Sequence, residues 1–135
     1  MITLPEHESR TRRAETASLW LLIGLEVSAL LLYVVYDAAG VELAARTGAG
    51  VREIGSAAVV VTTTLVSAAA LVLWWWLRRR ENGMRTWSVV AGAVWAASFL
   101  GPLGAPDGES MLALATFHVL VGGGLFFGVR RIEDR

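Results

Sequence analysis

Two ionisable side chains stand inside otherwise apolar stretches. Glu26 lies halfway along Ala17–Tyr36, and His118 lies seven residues into Met111–Val129. A carboxylate at the centre of a bilayer costs roughly 2.5–3.5 kcal/mol on insertion scales. Glu26 is therefore expected to face a protein interior or a water cavity, and to be protonated or hydrogen-bonded to a polar partner, because no Arg falls within any of the apolar stretches. His118 sits at a similar depth, so a Glu26–His118 contact is within geometric reach. Thr62, Thr63, Thr64 and Ser67 add hydroxyls in a third stretch. Successive helical residues are about 100° apart, so the three threonines cannot all point one way, and some are expected to bond back to the carbonyl four residues earlier. A carboxyl beside an imidazole can pass a proton or act as an acid–base pair. The same groups can also be interhelical glue, each bond contributing about 0.6 kcal/mol on average. Both readings stay open on the residues alone.

Other chemistry is limited by what the chain contains. It has no Cys, which removes disulfides, thiol redox chemistry, Cys-ligated zinc and iron–sulfur clusters. No P-loop, HExxH or GxSxG motif occurs. A bis-His haem would need His118 from two protomers. No metal, cofactor or catalytic residue set is expected, and the balance leans towards a protein that is not an enzyme. The 12 basic residues, all Arg, match 12 acidic ones, leaving no basic surplus for nucleic acid.

The elements that must position Glu26 and His118 follow from length and hydropathy. The composition is 55% hydrophobic and only 18% charged, against about a quarter charged in a soluble domain. A bilayer core of about 30 Å needs roughly 20 apolar residues in a helix. Four stretches meet or approach that: Ala17–Tyr36, Ile54–Leu77, Thr86–Leu103 and Met111–Val129. None has the polar face that a soluble bundle requires. The expected fold is all-α, an integral membrane four-helix bundle over 17–129, with a tail at 1–16 and another at 130–135. The last two spans are short and should run near the membrane normal or pair closely with a neighbour.

Arg placement suggests an orientation. Arg10, Arg12, Arg13, Arg78, Arg79, Arg80, Arg85, Arg130, Arg131 and Arg135 fall on one side of a four-span topology, against Arg46 and Arg52 on the other. Both termini are thus expected to be cytoplasmic in a multi-pass protein of a bacterial inner membrane. Trp20, Trp74, Trp75, Trp76 and Trp87 fall at the cytoplasmic span ends, and Tyr33 and Tyr36 at the opposite end, as interfacial anchors do. Arg78, Arg79 and Arg80 then read as a stop signal that can also bind anionic lipid headgroups. The apolar run after residue 16 is too long for a signal-peptide core and contains Glu26, so it reads as an uncleaved anchor. In the loop Asp37–Glu53, Val41–Arg46 is expected to form a short interfacial helix broken by Gly48-Ala-Gly50, with the loop solvated or capping the bundle.

Small residues mark the packing faces. Gly122, Gly124 and Gly128 in the fourth span, and Gly92 and Ala96 in the third, follow small-xxx-small spacing. This predicts close helix approach within one chain or in a homodimer. Glycine near His118 can also leave room for a small-molecule ligand.

Leu100-Gly-Pro-Leu-Gly-Ala and Phe117-His-Val-Leu-Val-Gly, with Ala39-Gly-Val-Glu-Leu and Gly55, resemble a family of small actinobacterial four-span membrane proteins known only as a domain of unknown function. The resemblance covers the four spans, leaves out the tails, and implies the topology and a role for His118. Separately, Gly24-Leu-Glu26-Val is similar to the first helix of small multidrug resistance exporters, where a lone Glu exchanges protons for cationic aromatic substrates. That similarity does not extend beyond the first span. The sequence thus supports a non-catalytic bundle acting as a homo-oligomer or as a subunit or partner in a membrane complex, with a proton-coupled small-molecule carrier using Glu26 and His118 as the alternative.

Overall fold

A computed structural model describes residues 4–134. Its elements are α1 (Leu4–Ala38), β1 (Ala44–Thr47), β2 (Gly50–Glu53), α2 (Ser56–Leu77), α3 (Gly83–Ser98), a single 3₁₀ turn (Pro102–Gly104) and α4 (Gly108–Glu133). Four helical segments, Thr11–Ala38, Ser56–Leu77, Gly83–Gly104 and Gly108–Glu133, are long and apolar enough to cross a membrane. Helix α1 packs against α2 and α4, and α3 closes the ring against α2 and α4.

Helix α1 runs on without a break into the stretch expected to be a tail, starting at Leu4. Ala14 of that stretch packs into the core near Trp74 and Trp87, so burial extends the helix past its apolar span. Residues 1–3, the Arg10 side chain and Arg135 lie outside what is described.

The first long loop corrects an expectation. Val41–Arg46 does not form a helix: Ala44–Thr47 pairs antiparallel with Gly50–Glu53 in a two-stranded hairpin. Gly50 turns the chain at φ +126, a conformation that side-chain-bearing residues rarely adopt. The hairpin is held down by Leu43, which is buried among Ala29, Val59, Ala113 and Phe117. The Arg46 guanidinium also reaches the Pro106 carbonyl at 3.5 Å. Asp107 caps α4, its Oδ1 accepting the Ser110 backbone N–H at 2.8 Å. The Ser110 hydroxyl lies 2.9 Å from the Glu42 carbonyl and 3.0 Å from Asp107 Oδ2, sharing one proton between them. The Ser110 N–H is the main reason the exposed Asp107 carboxyl lies below its ordinary 3.8, with the Ser110 hydroxyl adding to it.

The core has two centres. The Leu43 cluster lies at the hairpin end. Leu71, Trp74, Leu77, Trp87 and Val129 form the other, at the Arg-rich end. Trp74 and Trp87 are fully buried, unlike the membrane-interface position expected for them. Each indole N–H has found an acceptor: Glu133 Oε2 at 3.1 Å for Trp74 and the Ala70 carbonyl at 3.2 Å for Trp87. Trp20 and Trp76 do face outward. Tyr36 also departs from the anchor role, packing near Phe117 with its hydroxyl 3.1 Å from Thr116 Oγ1.

Candidate functional site

The polar groups expected to meet at mid-depth are divided between two seams. Glu26 points from α1 to α2, and its Oε1 accepts a hydrogen bond from the Thr64 hydroxyl. Its Oε2 is buried with no hydrogen-bond partner among the described residues, and so is Ser67 Oγ, one turn further along α2. His118 is elsewhere. It lines a cleft between α2, α3 and α4 that holds neither Glu26 nor Thr64, and no hydrogen bond or ion pair joins the two ionisable groups among the described residues.

The His118 ring is oriented by its own helix. Nδ1 lies 2.7 Å from the Leu114 carbonyl. A carbonyl only accepts, so Nδ1 carries the proton, and in the neutral ring Nε2 keeps its lone pair. A Cβ added to Gly101 would come 3.9 Å from Nε2, and the Phe99 ring lies 6.0 Å away, centroid to centroid. Thr62 and Thr63 line the cleft from α2, while Thr64 turns away to Glu26. The 100° step between helical residues thus divides the threonine run between the two seams.

The cleft encloses about 400 Å³. Its walls are almost wholly apolar, with Val66, Val94, Phe117 and Leu125 among them; His118, Thr62, Thr63 and Ser98 supply the polar atoms. Such a site favours an apolar occupant oriented by one or two hydrogen bonds. Trp95 forms one wall and is itself fixed, donating its indole N–H to the His118 carbonyl at 2.8 Å.

Trp95 escaped the sequence reading. Its signal was there: it is the only one of six Trp residues lying mid-span, away from the span ends. The glycines of α4 explain its seat. A Cβ on Gly122 would come 2.1 Å from Trp95 Cδ1, so the indole lies directly on bare backbone. Gly124 and Gly128 receive Leu25 and Leu21 of α1, whose δ carbons would meet an added Cβ at 2.5 Å. Gly92 of α3 faces Phe126 in ordinary contact at 3.7 Å, and Ala96 is exposed. The small-residue faces of α4 are therefore filled by side chains of the same chain.

At the Arg-rich end, Arg78 stacks on Trp74 and Trp75, with its guanidinium 4.8 Å and 4.6 Å from the ring centroids. Arg80 lies 3.9 Å from the centre of the Trp76 ring, and Arg79 is exposed. Among the described residues, no group of three or more His, Cys, Asp or Glu side chains is placed to hold a metal ion.

Fold and site together give four apolar helices long enough to cross a membrane, with an apolar cleft among three of them. Residues 8–135 match the Family of unknown function (DUF6069), and the chain belongs to that family. The match takes in most of the first tail and all of the second, which the motifs alone did not cover. No curated protein and no solved structure matches the chain.

Proposed function

We propose that the protein is a non-catalytic membrane module that works by assembly, as a homo-oligomer or as a subunit of a membrane complex, with the cleft between α2, α3 and α4 seating an apolar element of its partner. The single observation behind this reading is the cleft itself. It is about 400 Å³ of apolar space at span depth, in a bundle whose α1–α4 seam is closed by inserted leucine side chains. Without a hydrophobic driving force between helices in lipid, association rests on van der Waals packing and interhelical hydrogen bonds. The cleft offers both, through its walls and through His118 and Thr63. The ten-to-two Arg asymmetry supports placing the Arg-rich end, with both termini, in the cytoplasm of a bacterial inner membrane.

The chain has no thiol of its own, so one introduced Cys is a unique reporter. Val94→Cys, carrying a maleimide photo-cross-linker, is placed on the cleft rim; Val34→Cys, exposed on α1, is the control. Cross-linked product from position 94 in native membranes, with little from position 34, is the expected result, and its mass separates self-assembly from a different partner. Equal cross-linking at both positions, or none, refutes the assignment of the cleft.

A second reading is favoured by one observation, the Oε2 of Glu26 beside α2, which has no hydrogen-bond partner among the described residues. Here the protein is a proton-coupled carrier of small molecules in which Glu26 takes the proton, the Thr64 hydroxyl donates to its carboxyl, and His118 lines the substrate cleft without relaying protons to Glu26. Loss of proton-coupled uptake in Glu26→Gln proteoliposomes, with the fold intact, is what that reading requires. Uptake that survives the substitution removes it.

A further inference from the structure

A second cleft lies outside the bundle, between the start of α3 and the end of α4. It encloses about 370 Å³ and is lined by Met84, Arg85, Ser88, Val89 and Arg130. Two arginines from two helices and one serine therefore line a common space whose remaining lining is apolar. Among the described residues, no acidic side chain lines it. The nearby Glu133 carboxylate is turned to α2, where it accepts the Trp74 indole N–H. Arg130 is held towards α3 by a stack of rings: its guanidinium lies 5.6 Å from the Phe126 centroid, and Phe126 stacks on the buried Trp87 at 6.0 Å and 25°.

Depth selects the kind of anion. Arg85 is two residues from the start of α3 and Arg130 three from the end of α4, so both lie about 3–5 Å inside the helix ends. That is headgroup level for a helix that spans a bilayer, and basic pockets between spans there suit lipid phosphates. Val89 is 65% exposed, and Ala93 and Ala96, four and seven residues on along the same face of α3, are exposed too, so the apolar floor continues as an outward-facing wall. A free phosphate has no use for such a wall, whereas an acyl chain does.

We propose that Arg85, Ser88 and Arg130 form a site for an anionic phospholipid. The two guanidiniums and the Ser88 hydroxyl take the phosphate, and the acyl chain follows Val89, Ala93 and Ala96 along α3. Paired guanidiniums suit this ligand because their donors match phosphate oxygens in a planar fork. The site is separate from the α2–α3–α4 cleft and does not depend on what that cleft holds.

The test uses the full chain in phosphatidylcholine nanodiscs containing a minor fraction of phosphatidylglycerol, with lipid retention read by native mass spectrometry. Wild type should retain one phosphatidylglycerol tightly. Arg85→Gln and Arg130→Gln should each weaken retention about five-fold, and the double variant about twenty-five-fold. Arg131→Gln should leave retention unchanged. All three arginines are exposed, so helical content by circular dichroism should match wild type throughout. Equal retention by the double variant and wild type overturns the site. So does an Arg131→Gln loss as large as that of Arg85→Gln, which would mean diffuse attraction. Inorganic phosphate binding to wild type in pure phosphatidylcholine discs, competing with phosphatidylglycerol, would overturn the lipid assignment.

Discussion

Helix α4 meets α1 and α3 through neighbouring glycines, and the two seams are built differently. Towards α1, Gly124 and Gly128 receive the branched ends of Leu25 and Leu21. These are flexible aliphatic tips that fill the hollow and leave little void. Towards α3, Gly122 receives the flat indole of Trp95, a rigid plate also tied by its N–H to the His118 carbonyl. A plate fills a slot on one side of itself and holds the neighbouring helix away on the other. The open cleft lies on that side of the bundle. The difference between the seams comes from the side chains that enter the glycine positions, and it separates the closed part of the bundle from the part with open space.

The contrast can be broken first at the start of α3. A Cβ on Gly83 would come 2.0 Å from the Leu77 carbonyl oxygen. Backbone cannot rotate aside, so Gly83→Ala should show the largest loss, about 3 kcal/mol or more in mixed-micelle unfolding. Gly122→Ala should follow at about 2 kcal/mol, because the indole must leave its slot and lose its hydrogen bond. In a Trp95→Ala background the same change should cost much less, and additive effects would mean that the indole does not occupy that slot. Gly124→Ala and Gly128→Ala should each cost under about 1 kcal/mol, since a leucine tip can turn away. If they cost as much as Gly122→Ala, the two seams are not mechanically distinct. Thr64→Val removes the hydroxyl from Glu26 at the α1–α2 seam and should cost about 0.6 kcal/mol.

The smallest effect belongs to the hairpin end. The Asp107 carboxyl lies below its ordinary 3.8 because it accepts from Ser110. Its contribution to stability is therefore fully present above that ordinary value and is lost as pH falls through the lower folded value. The melting temperature of wild type should decline in acid relative to Asp107→Asn, which has no charge to lose there. Parallel melting curves for the two proteins between pH 5 and the acid limit would remove the cap's electrostatic part.

Much of this architecture was legible in the residues. The lengths of the four apolar stretches gave the four helices, and the glycine spacing of α4 pointed to close packing. Glu26 could be expected to find a polar partner, and it has one in Thr64. The choice of Thr64 over His118 could not be read. Trp74 and Trp87 show the same limit: proximity to a span end gave their depth, yet both are buried against neighbouring helices. The hairpin was missed for a different reason. Val41–Arg46 is too short for its propensity to decide, and its conformation follows from Leu43 entering the core and Gly50 turning the return strand.

The order of residues alone settled which segments are apolar, how long they are, and how deep each polar group lies along its helix axis. Rotation of each helix about that axis was left to tertiary packing, and with it the division of Glu26 and His118 between two seams and the meeting of Arg85 with Arg130. The physical reason is that a helix apolar on every side has no polar face to orient it towards solvent. Its azimuth is then set by which side chains fit the hollows of its neighbours, and those hollows exist only once the helices are packed.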